Sequence, residues 1–208
     1  MKDLIVLVAD SDQKVLIEAL LRKLISIQLI DKIAFDVYKH PMRDSGNFAN
    51  SPEFLRKYLK DYRSAIVILD FEGSGAEHKF GSKTYAEKDL EARLRNNRWE
   101  KCAAVIIQPE IEMWIWANFI SLSFAIGWKR KEQGVDLHSW LVKNGWLSAP
   151  KNKPIRPKEC YEKVLEKCKT PKSSSIFRKI AETVSFENCT DESFVKFLSI
   201  LKEWFKKN

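Results

Sequence analysis

The chain of 208 residues predicts an α/β fold, a mainly parallel four-stranded sheet flanked by helices, followed by a basic helical C-terminal extension. Three observations predict it. Short runs rich in aliphatic and β-branched residues, above all S-A-I-V-I-L-D-F-E-G over 64–73, are apolar without alternation, as strands buried on both faces of a parallel sheet are. Between these runs lie stretches whose apolar residues recur at helical spacing, the alternation that builds βαβ units. The charge is also uneven: residues 1–127 carry 18 Lys and Arg against 18 Asp and Glu, whereas residues 128–208 carry 18 against 10, so the whole net charge of +8 lies in the second part.

The elements follow in order. Residues 4–9 read as the first strand and are closed by Asp10-Ser11-Asp12. Ser11 or Asp12 would then cap a helix over 13–28, on which Val15, Leu16, Ala19, Leu20 and Leu24 trace one face. Residues 33–38 read as a second strand. The segment 40–51, with Pro41, Gly46 and two Asn, has turn chemistry and reads as a loop, after which Ser51 and Pro52 suit the cap and first position of a helix reaching residue 62. The central strand comes next, then a glycine-bearing loop over 73–83 and a charged helix over 84–99. Residues 102–107 form the fourth strand, which Pro109 ends. Pro109 also reads as the first residue of a long helix to residue 126, with Trp114, Ile115, Phe119, Leu122 and Ile126 at helical spacing. Beyond it, helices are predicted over 139–144, 157–169, 174–183 and 191–206, the last capped by Asp191 with Phe194, Phe197, Leu198 and Leu201 on its apolar face. The division is therefore an α/β domain of residues 1–127 and a basic helical subdomain of residues 128–208 packed on it.

Several classes of function are disfavoured. The four Cys have no C-x-x-C spacing and there are only three His, which argues against a zinc site or a disulfide framework. Neither G-x-G-x-x-G nor a phosphate-loop lysine motif is present. The most apolar stretch, residues 111–126, is too short and too polar to span a membrane, and with no secretory segment at its start the chain is expected in the cytoplasm.

What chemistry there is gathers at one sheet end. In open α/β sheets ligands bind beyond the carboxyl ends of the strands. Asp70 and Glu72 close the central strand and are able to face one divalent cation; they equally suit a turn before a glycine-rich loop. Glu110 and Glu112 open the helix after the fourth strand, where they either complement its dipole or join Asp10, Asp70 and Glu72 in a convergent acidic edge. Lys151, Lys153, Arg156 and Lys158 lie in a proline-broken basic loop, either a nucleic-acid contact or a solvated surface. The seven Trp, five of them between 114 and 146, are read first as core and second as stacking anchors.

Strand 1 ending in an acid and strand 3 ending in Asp70-Phe71-Glu72, on a frame without a phosphate loop, resemble the Toprim fold of topoisomerases, primases and related nucleases. More closely, the chain resembles an uncharacterised Toprim-like family of bacterial defence and mobile-element neighbourhoods. The likeness lies in Pro109-Glu110-Ile111-Glu112-Met113-Trp114, Pro157-Lys158-Glu159, Phe177-Arg178-Lys179 and Ser193-Phe194-Val195-Lys196-Phe197-Leu198, and covers most of the chain. Two departures stand out: the strand-1 turn is Ala9-Asp10-Ser11-Asp12 where the family has a glutamate followed by glycine, and Glu72 stands where the family has Asp. The resemblance implies that Asp10 serves as acid/base, with Asp70 catalytic and Asp70 and Glu72 holding Mg²⁺, aided by Glu110 and Glu112. It implies phosphodiester cleavage of nucleic acid with the basic extension gripping the backbone. The alternative is a non-catalytic component of a multi-gene antiphage system that binds nucleic acid or other defence proteins.

Overall fold

The computed structural model describes residues 1–129, 134–147, 153–183 and 189–206. Four parallel strands, β1 (Lys2–Val8), β2 (Phe35–Lys39), β3 (Tyr62–Asp70) and β4 (Cys102–Ile107), lie in the order β2-β1-β3-β4. Leu4 of β1 is level with Phe35 of β2 and Ser64 of β3, and Ala65 of β3 with Cys102 of β4. The chain leaves β1 in one direction to form β2 and returns on the other side to form β3, so the switch point of the sheet lies between β1 and β3.

The unbroken apolar runs are explained by two cores. Alternate residues of each strand (Leu4, Val6, Val8; Ile66, Ile68; Val105, Ile107) face one core, and their neighbours (Ile5, Leu7; Ala65, Val67, Leu69; Ala104, Ile106) face the other. The first core is covered by α1 (Ser11–Ser26) and by helices from beyond residue 118, the second by α2 (Arg43–Arg56) and α4 (Lys83–Asn96). A four-stranded parallel sheet with helices on both faces is an α/β architecture of the Toprim or Rossmann kind. Among the described residues no helix is long and apolar enough to cross a membrane.

Four local expectations are corrected. α1 begins at Ser11 and is capped by Asp10 rather than by Ser11 or Asp12, with the Asp10 carboxylate accepting from the Gln13 N–H. The expected loop over 40–51 is helical: α2 starts at Arg43 and carries Pro52 in its interior. Gly46, Asn47 and Pro52 all disfavour a helix locally. Asn47, Phe48, Ser51, Pro52 and Leu55 nevertheless recur at helical spacing on a buried face, and Asn47 Nδ2 donates to the Ile68 carbonyl at 2.8 Å, tying the helix to β3. The loop over 73–83 contains a short helix, α3 (Ala76–Phe80), flanked by Gly75 and Gly81 at φ of 82° and 62°, conformations that favour glycine.

The long helix expected from Pro109 is instead two helices, α5 (Glu112–Ile115) and α6 (Phe119–Ile126), and Pro109 precedes both. The break falls at Asn118, whose backbone is extended, just after two buried tryptophans. Residues two apart lie on opposite sides of a helix, yet Trp114 and Trp116 are both buried, one indole donating to Ser193 Oγ at 2.9 Å and the other to the Pro157 carbonyl at 3.1 Å. Asn118 then caps α6 by accepting from the Ser121 N–H.

The remaining helices agree closely with expectation: α7 (Leu137–Lys143), α8 (Pro157–Lys167), α9 (Ser174–Thr183) and α10 (Glu192–Phe205). Asp191 caps α10 through the Ser193 and Phe194 N–H groups. These helices share the first core with the sheet.

The outer edge of β4 is sealed by side chains. Glu87 and Glu91 of α4 accept from the N–H groups of Ile106 (2.9 Å) and Ala104 (3.1 Å). Four helical residues advance about 6 Å and two strand residues about 6.6 Å, so a pair of glutamates four apart matches alternate N–H groups of a strand. Lys196 of α10 bridges both carboxylates at 3.0 and 3.2 Å. Removing Glu87 (Glu87→Ala) strands a buried N–H and one lysine contact. A loss of about 1–3 kcal/mol is expected, seen as a lower urea midpoint at unchanged slope; an unchanged midpoint would show that the edge does not need this carboxylate.

Candidate acidic site at the carboxyl end of the sheet

Asp70 is the last residue of β3, at the switch point, and is only 8 % exposed. The residue is held from two directions, through its carboxylate and through its backbone N–H. Gln13 Nε2, from the first turn of α1, donates to Asp70 Oδ1 at 2.9 Å, while Gln13 Oε1 accepts from the Ala9 N–H at 2.9 Å and so fixes the amide's orientation. The Asp70 N–H donates to Asp44 Oδ1 at 2.9 Å, bringing in an acid from the first turn of α2.

Burial pushes the Asp70 carboxyl well above its ordinary range, and the charges of Asp44, Glu112, Asp10 and Glu110, in that order, push it further. Asp44 is raised too, first by burial and then by Asp10. Glu112, 4 % exposed, is pushed up to about 7 by burial and by Glu110. Lys158 is the cation that answers this cluster: its Nζ lies 3.1 Å from Glu110 Oε2. Burial works against the Lys158 charge, but the Glu110 contact and the charges of Glu110, Glu112 and Asp70 outweigh it.

The predicted acids are therefore unequal. Asp10, Glu110 and Glu112 are each brought into electrostatic reach of Asp70. Asp10 spends one oxygen capping α1. Glu72 is separated from Asp70 by the end of the strand: the Phe71 and Glu72 N–H groups turn to the carbonyls of Ile107 and Pro109, and Glu72 is exposed.

The basic residues predicted to grip nucleic acid are already paired. Lys153 meets Asp191 at 3.3 Å, Arg156 meets Glu159 at 2.8 Å and Lys158 meets Glu110; Lys151 lies outside the described residues. The tryptophans are structural: Trp114, Trp116 and Trp128 are buried, and Trp140 and Trp146 pack against the core half-buried.

Asp44 and Gln13 were not singled out from the sequence. The helical recurrence of Asn47, Phe48, Ser51, Pro52 and Leu55 is the signal that places Asp44 in a first helical turn. Gln13 follows Asp10 by three residues, as in a capping box, but its side chain reaches the Ala9 N–H and Asp70 instead of the cap residue's own N–H. His40, just past the end of β2, is packed against the start of α2. Burial keeps its pKa low, Nδ1 accepts from the Met42 N–H at 3.2 Å, and a Cβ on Gly46 would come within 2.8 Å of its ring.

Among the described residues, no group of three or more His, Cys, Asp or Glu side chains is gathered to ligate one ion. What the cluster offers is one or two carboxyls at the end of a strand. That fits a hydrated Mg²⁺ completed by substrate oxygens and does not fit an all-protein cage. No protein-family model, curated protein or solved structure matches the chain.

The raised carboxyls make stability depend on pH. Between the ordinary value of 4.5 and about 7, folded Glu112 holds a proton that the unfolded chain has released, so stability falls as pH rises through this window. Glu112→Gln removes the effect, and its unfolding free energy is expected to exceed that of the parent at pH 8, by on the order of 3 kcal/mol at most, and to match it near pH 4.5. Asp70→Asn is expected to behave in the same direction. Parallel stability curves for parent and variants across this range would contradict the assignment.

Proposed function

We propose that the carboxyl end of the sheet binds a phosphodiester through a divalent cation and that the chain cleaves nucleic acid, as a Toprim-like cytoplasmic component of a bacterial defence system. The observation that supports this most is the state of Asp70: a buried carboxyl at the switch point, surrounded by Asp44, Glu112, Asp10 and Glu110, with its strongest electrostatic neighbours all acids. Such a group keeps its proton at ordinary pH unless a cation takes the proton's place. Bound Mg²⁺ would neutralise charge on the phosphate oxygens and activate the attacking water.

The chain's own residues have these roles in the reading. Gln13 and Asp44 hold Asp70 in place at 2.9 Å each. Glu112, pushed up to about 7, is suited to exchange a proton near neutral pH, a role the resemblance gave to Asp10, one of whose oxygens here caps α1. Lys158, exposed beside Glu110, offers a charge to an incoming phosphate. Defence as the setting rests on the resemblance of the Pro109–Trp114 motif and the C-terminal motifs.

A second reading, a non-catalytic component that binds nucleic acid or a partner protein, draws on one observation: the acids form no ready-made ligand group among the described residues.

Cleavage assays with end-labelled single-stranded DNA, duplex DNA and RNA in Mg²⁺ or Mn²⁺ separate the two. Cleavage is expected for the parent, abolished by chelation and reduced about 100-fold or more by Asp70→Asn, the loss of roughly 3 kcal/mol of transition-state stabilisation. Cleavage that survives Asp70→Asn would overturn the catalytic assignment, and no cleavage of any substrate would favour the binding reading.

A further inference from the structure

The amino end of the sheet carries a second feature that the acidic site does not use. A pocket of about 360 Å³ opens there, lined by Lys2, Tyr38, Tyr58, Lys60, Asp61 and Tyr62. Tyr62 on its wall lies eight residues from Asp70 along β3, about 26 Å at the rise of a strand, while Tyr38 on β2 is level with Leu7 of β1. Its wall is an aromatic ladder. Tyr38 stacks on Tyr58 with centroids 5.1 Å apart and planes at 25°, Phe54 lies 6.1 Å beyond Tyr58, and Tyr62 meets Tyr58 edge-on at 5.9 Å. Tyr62 is fixed from behind, its hydroxyl donating to Asp36, which also pairs with Lys2. Tyr38 is only half-buried and also lines a second groove, of about 440 Å³, on the α1 side of the edge strand β2.

The charge at this rim differs from that of the predicted basic loop. Lys57 and Lys60 are exposed and make no ion pair among the described residues. The Lys57 ammonium stands 5.0 Å from the Tyr58 ring centre and 4.5 Å from that of Phe54.

We propose that this pocket is a base-stacking subsite for single-stranded nucleic acid, in which a base extends the Phe54–Tyr58–Tyr38 ladder and Lys57 and Lys60 contact the flanking phosphates. Every base has a π-face, so stacking on tyrosine binds a single strand with little regard to sequence, while cations along the rim follow its backbone. A cationic ligand is disfavoured, because it would meet Lys57 and Lys60 against the one carboxylate of Asp61, Lys2 being paired with Asp36. A duplex is disfavoured, because its bases are already stacked. The subsite lies outside the acidic cluster, and its occupancy does not depend on metal or on cleavage.

Fluorescence anisotropy with a labelled oligothymidylate of about 12 nucleotides, within the ~4–16 nucleotide sites of single-strand binders, tests it. The measurement uses the Asp70→Asn chain in chelator, so failure of the catalytic reading leaves the result untouched. Tyr38→Leu is expected to weaken binding about tenfold. Lys57→Ala with Lys60→Ala, both exposed positions whose loss leaves the core intact, is expected to reduce the slope of log affinity against log salt by about 1.4. Photocrosslinking of the same strand carrying 5-iodouracil is expected to label Tyr38 or Tyr58. The proposal is overturned if Tyr38→Leu and the double lysine variant bind like the parent, if crosslinks fall on residues 153–158 instead, or if the single strand does not bind at low salt.

Discussion

The three-way contact among Asp70, Gln13 and Asp44 is the constraint on which the acidic end of this molecule depends. β3 is buried on both faces to its last residue, so its closing carboxyl is delivered into the protein instead of to solvent. A lone buried carboxylate is costly. Here one oxygen is held by the Gln13 amide and the adjacent N–H by Asp44, and the two helices that supply them start from opposite faces of the sheet. Asp70 is thus the point where α1, α2 and β3 are locked together. The same packing draws Asp10, Asp44, Glu110 and Glu112 close enough to raise its pKa. Fold and electrostatic tension come from one arrangement.

The two edges of the sheet are treated differently. At β4 two glutamates four residues apart on α4 imitate the acceptors of a neighbouring strand, and Lys196 from α10 neutralises them. This offers a structural use for a glutamate pair that a reading of charge alone would leave on a solvated helix face. It also ties the C-terminal helices to the sheet. β2, the other edge, is flanked by two grooves that share Tyr38.

Much of this was legible in the sequence because burial on both faces writes itself plainly. All four strands and the helices after residue 157 fall where apolar runs and caps place them, Asp191 included. What escaped reading was set by tertiary packing. α2 contains Gly46, Asn47 and Pro52, each a poor helix former, and is helical because its buried stripe and the Asn47 bond to β3 outweigh local preference. Missing α2 meant missing Asp44. The break between α5 and α6 comes at Asn118, just after Trp114 and Trp116, whose partners Ser193 and Pro157 lie far away in the chain. Glu72 looked equivalent to Asp70 at a spacing of two, but the strand ends between them. The pairing of Lys153, Arg156 and Lys158 with acids is invisible in composition, where only their excess shows.

In the proposed function the Asp70 cluster holds protons where a divalent cation would otherwise sit. Calorimetric titration of Mg²⁺ into the protein at neutral pH, repeated in buffers of different ionisation enthalpy, measures it directly. Cation binding is expected to release protons, because a raised carboxyl must ionise to become a ligand, and Asp70→Asn and Glu112→Gln are expected to reduce both binding and release. Binding with no proton release, or none at millimolar Mg²⁺ even with nucleic acid present, would contradict it.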